Sequence, residues 1–141
     1  MVFQTPQDSF DPMQTLETGI LEAFRNQGMS RKEACLHLPE LLKKVELSSE
    51  TAMRYPRETS GGECQRAAIA RALAVQPSLL ICDEATSALD AAVQAQIVQL
   101  LKKLQREEGL AMLWIGHDLA LVRELCSRVI VMRQGKIVEQ G

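Results

Sequence analysis

The stretch SLLICDEATSALD, residues 78–90, indicates the fold of this 141-residue chain. Its apolar run ends in Asp83 and Glu84, which predicts a short buried strand that closes in two acids. In open α/β sheets, ligands bind beyond the carboxyl ends of the strands, so both acids are candidate site residues. Asp83 is suited to hold Mg²⁺ through water, because this ion keeps most of its water shell. Glu84 is suited to orient and deprotonate an attacking water, although two merely exposed acids remain an alternative.

Upstream of this stretch, residues 60–74 read SGGECQRAAIARALA and predict a helix with a well-defined start. Ser60 and Glu63 have the spacing of a capping box, in which each side chain bonds to the backbone N–H of the other. Gly61 and Gly62 lack a Cβ, which lets another molecule approach the first turn closely. Unpaired N–H groups and the helix dipole make such a turn an anion site. Taken alone, these residues also fit a capped helix without any ligand.

The first third of the chain has helical periodicity. Apolar residues recur at helical spacing from Leu16, and this helix is expected to end near Gly28. Ser30 is expected to cap the next helix. Pro39 is expected to interrupt that helix and to start a further one, which runs to about Val45.

Residues 48–59 are polar and contain a proline, so they predict a linker. We therefore expect two units, a helical one at residues 1–57 and an α/β one at residues 58–141.

Downstream, helices and strands alternate. Asp90 is expected to cap a helix with one apolar stripe, and Gly109 is expected to end it. The run LAMLWIG, residues 110–116, predicts a second buried strand that leads into His117. After a short helix, residues 128–140 predict two strands joined by a tight turn. This order predicts a mainly parallel α/β sheet.

The composition narrows the class of protein. The chain is 46% hydrophobic, which is enough for one modest core. Its net charge of −2 and the lack of a long basic run argue against a nucleic-acid surface. The four cysteines show no C-x-x-C spacing, so we expect reduced thiols rather than a zinc site or a disulfide framework. No apolar run is long enough to span a bilayer.

Taken in order, five short motifs resemble those of the ATP-binding subunit of ABC transporters. The resemblance covers essentially the whole chain and implies a partial P-loop NTPase domain, with a helical subdomain followed by part of a mainly parallel RecA-like sheet. The motifs are VFQTP with Gln4 (Q-loop), Ser60-Gly61-Gly62-Glu63 (signature, with Glu63 at the usual glutamine), LLICDE (Walker B), Ser87-Ala88-Leu89-Asp90 (D-loop) and His117 (switch histidine).

The resemblance also implies roles for these residues. Glu84 is the expected general base, with His117 as a second catalytic residue. Gln4 and Asp83 are expected to contact Mg²⁺. The signature residues Ser60, Gly61, Gly62 and Glu63, together with Gln4, are expected to bind ATP; the signature helix would cap the γ-phosphate of a nucleotide held mainly by a second ATPase subunit. The dimer interface is expected at Ser87 and Asp90.

Three longer stretches, residues 3–12, 55–74 and 91–105, resemble importers of dipeptides, oligopeptides and nickel. This implies further partners: transmembrane permease subunits, a second ATPase subunit in a homodimer or heterodimer, and, indirectly, an extracytoplasmic solute-binding protein. The expected location is the cytoplasmic face of the cell membrane. Soluble ABC ATPases of DNA repair or translation fit less well, because the repair type would need coiled-coil heptads beside these motifs and the translation type a second tandem copy of them.

These 141 residues contain no G-x-x-x-x-G-K-[ST] loop, which in the family lies upstream of the Q-loop and wraps the phosphates. We therefore expect the chain to correspond to the downstream part of a nucleotide-binding domain. On its own it is expected neither to bind ATP tightly nor to hydrolyse it. A catalytically silent module that acts only by association is the alternative.

Overall fold

The computed structural model describes residues 1–141, which form six α-helices and four strands. The elements are α1 (Leu16–Asn26), α2 (Arg31–Lys44), α3 (Ser49–Ala52), α4 (Gly61–Leu73), β1 (Leu79–Asp83), α5 (Ala91–Glu108), β2 (Ala111–Ile115), α6 (Leu119–Leu125), β3 (Ile130–Arg133) and β4 (Lys136–Gln140), with 3₁₀ turns at Pro6–Ser9 and Pro56–Glu58. None of the helices is both long and apolar enough to cross a membrane.

Side-chain caps fix the helix starts that the sequence predicts. Ser30 and Glu33 form a capping box at α2, in which the Ser30 N–H donates to Glu33 Oε2 over 2.8 Å. Asp90 caps α5, where its Oδ1 accepts from the backbone N–H groups of the following turn. Gly109 ends α5 with a left-handed backbone, φ 62°. These predicted boundaries are confirmed.

The expected break at Pro39 is wrong. Helix α2 runs without interruption from Arg31 to Lys44, with Pro39 inside it. A proline within a helix removes one hydrogen bond and costs about 3 kcal/mol. The buried side chains of Leu38 and Leu41 flank it and pack into the core, so tertiary packing offsets this cost.

The expected linker at residues 48–59 is also more ordered than predicted. It contains α3 and a 3₁₀ turn, and Ala52 is fully buried. The carbonyl of Arg54 accepts a hydrogen bond from the Leu16 N–H over 3.0 Å, which ties this segment to the start of α1.

Strands β1 and β2 form the predicted parallel pair, in a register that aligns Asp83 with Ile115. Val2 adds a parallel bridge on the other side of β1, at Cys82. β3 does not extend this sheet but pairs with β4 in a separate antiparallel hairpin. The expected burial of β2 is wrong, because Leu113 and Ile115 on one face are 48% and 45% exposed.

One hydrophobic core joins the helices to the sheet. It contains 28 buried residues, among them Ile20 of α1, Leu42 of α2, Ile69 of α4, Leu80 of β1 and Leu101 of α5. Residues 14–45 contain no strand. This one core contains residues from both 1–57 and 58–141. The division of the chain into two units at that boundary remains a prediction.

Candidate functional site

The predicted catalytic pair meets at one edge of the parallel sheet. Glu84 follows β1 directly, and His117 lies two residues beyond β2. Because the strands are parallel, their carboxyl ends share an edge, and His117 Nδ1 lies 3.1 Å from Glu84 Oε1. The His117 side chain is 77% exposed, whereas that of Glu84 is 33% exposed. The pair is therefore open to solvent on the histidine side.

The backbone of Glu84 is held in a conformation that non-glycine residues seldom adopt. Its φ is 47°, a left-handed value that costs on the order of 1–3 kcal/mol. The Glu84 N–H donates to the Ile115 carbonyl over 2.9 Å. The Glu84 carbonyl accepts from both the N–H and the Oγ–H of Ser87, each over 3.0 Å. These bonds from β2 and from the following turn fix the direction of the Glu84 side chain.

A cleft of about 460 Å³ brings Gln4 together with Asp83 and Glu84. The approach of residue 4 follows from the bridge at Val2, whose N–H donates to Ile81 O and whose carbonyl accepts from Asp83 N. The cleft is lined by Phe3, Gln4, Thr5, Asp8, Ser9, Arg71, Asp83 and Glu84.

A second cavity of about 190 Å³ also borders Glu84 and includes His117. Glu84 therefore lines both the space that contains Gln4 and the space that contains His117. The cavity is lined by Glu84, Ser87, Gln94, Trp114, Gly116, His117, Asp118 and Leu121.

Among the cavity-lining residues that the sequence analysis did not single out are Arg71 in the first cleft and Gln94 in the second. Arg71 interrupts the alanine-rich run IARALA, and a long cation in the middle of a buried helix face is a signal that would have found it. Gln94 gave no such signal, because it lies in the expected polar part of α5.

The predicted capping box at the start of α4 is confirmed. Glu63 Oε2 accepts from the Ser60 N–H over 2.8 Å and from Ser60 Oγ over 2.9 Å. These hydrogen bonds from the Ser60 backbone and side chain lower the pKa of Glu63 below its ordinary value. The four residues 60–63 line neither of the two cavities, so the chain does not bring them to the Glu84 edge.

The two glycines at the start of α4 pack against side chains of this chain. A Cβ on Gly62 would lie 2.6 Å from Val93 Cγ1, and one on Gly61 would lie 3.1 Å from Leu89 Cδ2. Gly62 is buried, whereas Gly61 is exposed. Close packing of α4 against the start of α5 therefore requires glycine at position 62. The open approach predicted for an outside molecule applies to Gly61 only.

The residues expected at a dimer interface have local roles in this chain. Asp90 Oδ1 accepts from the N–H groups of Ala92 and Val93 over 3.1 and 3.0 Å, as an N-cap. Ser87 holds the Glu84 carbonyl as described above. Both Ser87 and Asp90 retain solvent-accessible surface, so each has room for a partner.

The cleft fits a magnesium ion that takes most of its ligands from water and phosphate. No group of three or more His, Cys, Asp or Glu side chains is positioned to hold a metal by itself. Asp83 and Gln4 supply a carboxylate and an amide oxygen on the walls of one cleft. Mg²⁺ is commonly bound through one or two carboxylates, with waters and substrate phosphates completing its shell.

Comparison with known sequences identifies relatives along the whole chain. Residues 1–87 match the family model described as "ABC transporter". The oligopeptide transport ATP-binding protein OppF of Escherichia coli strain K12 is 48% identical over 143 aligned residues, which cover 100% of this chain and 43% of OppF. The glutathione import ATP-binding protein GsiA of Salmonella choleraesuis is 49% identical, covering 99% of this chain and 23% of GsiA. The chain thus spans less than half the length of these relatives.

Comparison with solved structures agrees on the fold. A dimeric, post-hydrolysis state of the ATP-binding cassette MJ0796, bound to ADP and Pi, superposes with a TM-score of 0.82 at 33% identity and covers 99% of this chain and 61% of that one. CbiO1 of Clostridium perfringens, part of the ABC transporter complex cbiONQ, gives a TM-score of 0.87 at 28% identity, covering 99% and 55%. The chain belongs to the ATP-binding family of ABC transporters.

Proposed function

We propose that this chain forms the part of an ABC ATPase subunit that activates water for ATP hydrolysis. The observation that carries the proposal is the contact of 3.1 Å between Glu84 and His117 at the carboxyl edge of the parallel strands. In this role Glu84 is the general base and His117 is its partner. Gln4 and Asp83, in the adjoining cleft, face the phosphate and metal side of the same reaction.

The reaction that fits these groups is an in-line attack of water on the γ-phosphorus of ATP. Glu84 accepts a proton from the water as the new P–O bond forms, and the bond to the β-phosphate oxygen breaks, which releases ADP and phosphate. His117, with Nδ1 towards Glu84 Oε1, orients the carboxylate when that nitrogen carries its proton. Mg²⁺, when bound, supplies charge neutralisation at the phosphate oxygens, with Asp83 and Gln4 as its protein ligands.

The signature residues Ser60, Gly61, Gly62 and Glu63 are proposed to act on a nucleotide bound by a second ATPase subunit. The N-terminus of α4 offers N–H groups and a positive dipole end to a phosphate. Their absence from both Glu84 cavities favours this arrangement over one within a single chain. The solved relative MJ0796 is a dimer with ADP and Pi, which supports a dimeric arrangement with Ser87 and Asp90 at the interface.

The hydrolysis is proposed to power import of peptides or similar small solutes. OppF is named for oligopeptide transport and GsiA for glutathione import, and both match the chain over almost its full length. The partners in this role are transmembrane permease subunits, which would hold the chain at the cytoplasmic face of the membrane, and indirectly a solute-binding protein. A nickel importer is a second candidate within the same family.

The alternative is a catalytically silent module that acts only by association. It would apply to these 141 residues taken without a P-loop segment, since they include no G-x-x-x-x-G-K-[ST] loop. The two functions make opposite predictions once a P-loop is provided.

The test joins residues 1–141 in frame behind a P-loop-bearing segment of a related ABC ATPase and measures release of phosphate from Mg-ATP. We expect sustained turnover, a fall of about 100-fold or more in Glu84→Gln, and unchanged ATP binding. Glu107→Gln, an exposed residue late in α5, is the matched control and should keep full turnover. A joined protein that binds ATP without turning it over would favour the silent module.

A further inference from the structure

Arg71, in the last turn of α4, reaches across to the first residues of the chain. Its Nη1 donates to the Ser9 carbonyl, 62 residues away in sequence. Its guanidinium carbon lies 5.2 Å from the centroid of the Phe10 ring, within the range of a cation–π contact. The Arg71 side chain also lines the cleft that holds Gln4, Asp83 and Glu84. One side chain therefore contacts both the N-terminal segment and the site.

Phe10 is held from two sides. It is only 6% exposed, and its ring lies against Gly19 of α1, where an added Cβ would come within 2.7 Å of Phe10 Cδ1. Arg71 covers the ring from α4. Phe10 thus joins α1 to α4 at the end of the N-terminal segment.

The other end of the segment is fixed to the sheet. Val2 is 1% exposed and makes two backbone hydrogen bonds to β1: its N–H donates to the Ile81 carbonyl, and its carbonyl accepts from the Asp83 N–H. Gln4 lies two residues later, before the 3₁₀ turn at Pro6–Ser9. Its position therefore depends on an anchor at Val2 and on a second anchor at Ser9 and Phe10.

We propose that Arg71 is a positioning residue that holds the segment Gln4–Phe10 against α4 and thereby keeps Gln4 in the cleft beside Asp83 and Glu84. The consequence for catalysis rests on the proposed function. The geometric consequence, an ordered segment 4–10, does not. Arginine suits the role because its planar fork donates to a carbonyl while its face stacks on an aromatic ring, which lysine does not reproduce.

Arg66 provides a matched control on the same helix. Its Nη1 donates to the Val45 carbonyl over 3.0 Å and to Glu46 Oε2 over 2.9 Å, so it makes the same kind of long-range tie. It lines neither of the two cavities at Glu84. If the substitutions act only by lowering stability, those at Arg71 and Arg66 should have the same effect. If Arg71 positions Gln4, only the substitution at Arg71 should disturb the segment that contains Gln4.

The first experiment measures amide hydrogen exchange of residues 4–10 in the 141-residue chain without nucleotide. The amides of Asp8 and Phe10 donate within this segment, to Thr5 and Gln7, and report its order. We expect Arg71→Ala to speed their exchange at least tenfold, Arg71→Lys to speed it less, and Arg66→Ala to leave it within twofold. Unchanged exchange in both Arg71 variants, or equal acceleration in Arg66→Ala, would overturn the proposal. If Arg71→Ala does not fold, Arg71→Lys alone decides.

The second experiment measures turnover in the joined, P-loop-bearing protein described above. We expect Arg71→Lys to lower kcat about tenfold with the KM for ATP within twofold, since nucleotide binding depends mainly on the P-loop. Arg66→Lys should change neither value by more than twofold. An equal fall in both variants would contradict the positioning role. If the joined wild-type protein shows no turnover, the proposed function fails, and the exchange result alone decides whether Arg71 orders the segment.

Discussion

The backbone of Gly62 lies directly against the side chain of Val93, so that a Cβ on Gly62 would come within 2.6 Å of Val93 Cγ1. The first turns of α4 and α5 are packed at this point without room for one more carbon atom. Packing within the chain therefore accounts for glycine at position 62, whether or not a ligand binds there.

We expect Gly62→Ala to lower the free energy of unfolding by about 1–3 kcal/mol, because overpacking forces the two helices apart. Chemical denaturation measures this change. Val93→Ala should restore part of the loss when combined with Gly62→Ala, since it removes the clashing methyl groups. Gly61→Ala, which meets Leu89 Cδ2 at 3.1 Å, is the control and should cost less. A Gly62→Ala variant as stable as the wild type would show that the α4–α5 contact is looser than described.

A second prediction concerns the capping box of α4. The hydrogen bonds from Ser60 lower the pKa of Glu63 below 4.5, so the folded state favours the ionised carboxylate. A lowered folded-state pKa stabilises the protein above the unfolded pKa, and this contribution is lost as the pH falls through the folded value. We expect the wild type to lose stability relative to Glu63→Gln as the pH falls from about 5 to about 3.

Thermal or urea unfolding at several pH values measures this difference. The glutamine introduced by Glu63→Gln keeps a hydrogen-bonding side chain at the third helical position but does not titrate, so the curve of this variant should be flatter. Glu107→Gln is the control for the general effect of removing one exposed carboxylate. Parallel curves for wild type and Glu63→Gln over this range would mean that the capping box does not depend on ionisation.

The sequence predicts those parts of the fold that depend on local chemistry. The caps at Ser30, Ser60 and Asp90, the stop at Gly109 and the strand ending at Asp83 each follow from a few neighbouring residues. The same holds for the edge of the site, because two parallel strands place their carboxyl ends side by side.

Features set by distant packing were not predictable in this way. Pro39 stays inside α2 because its buried neighbours pack into the core. No local sequence pattern indicates how much this packing stabilises the helix. The contact between Gly62 and Val93 and the reach of Arg71 to Ser9 join residues about 30 and 60 positions apart. The hairpin of β3 with β4 follows from its tight turn and is confirmed, whereas its separation from the β1–β2 pair is decided by contacts across the whole domain and was not predicted.

A third prediction concerns thiol reactivity. All four cysteines are free, but burial raises the pKa of Cys64 to about 11 and that of Cys82 to about 12, whereas Cys35 is exposed. The thiolate is the reactive form, so both buried thiols should be nearly inert at about pH 8. We expect iodoacetamide to modify Cys35 in the native protein at least about 100-fold faster than Cys64 or Cys82, as measured by peptide mass spectrometry.

The comparison with unfolded protein provides the control for this experiment. About 6 M guanidinium chloride unfolds all but the most stable domains. Under these conditions all four cysteines should react at similar rates. Native modification of Cys82 as fast as that of Cys35 would indicate that β1 opens readily, since Cys82 lies in this strand beside the bridge from Val2.

The last prediction tests whether Glu84 and His117 act as a unit. Their side chains are 3.1 Å apart, and removing either partner leaves the other without its contact at the sheet edge. In the joined, P-loop-bearing protein, Glu84→Gln and His117→Ala should each lower kcat by about 100-fold or more with little change in ATP affinity. The effects of substituting groups that act together do not add, so the double variant should be close to the more impaired single variant rather than about 10⁴-fold slower.

Single-turnover phosphate release with bound ATP measures the rates of the two single variants and the double variant. Glu107→Gln, which is exposed and lines neither cavity, serves as the control. Multiplicative losses in the double variant would mean that His117 acts on the nucleotide independently of Glu84.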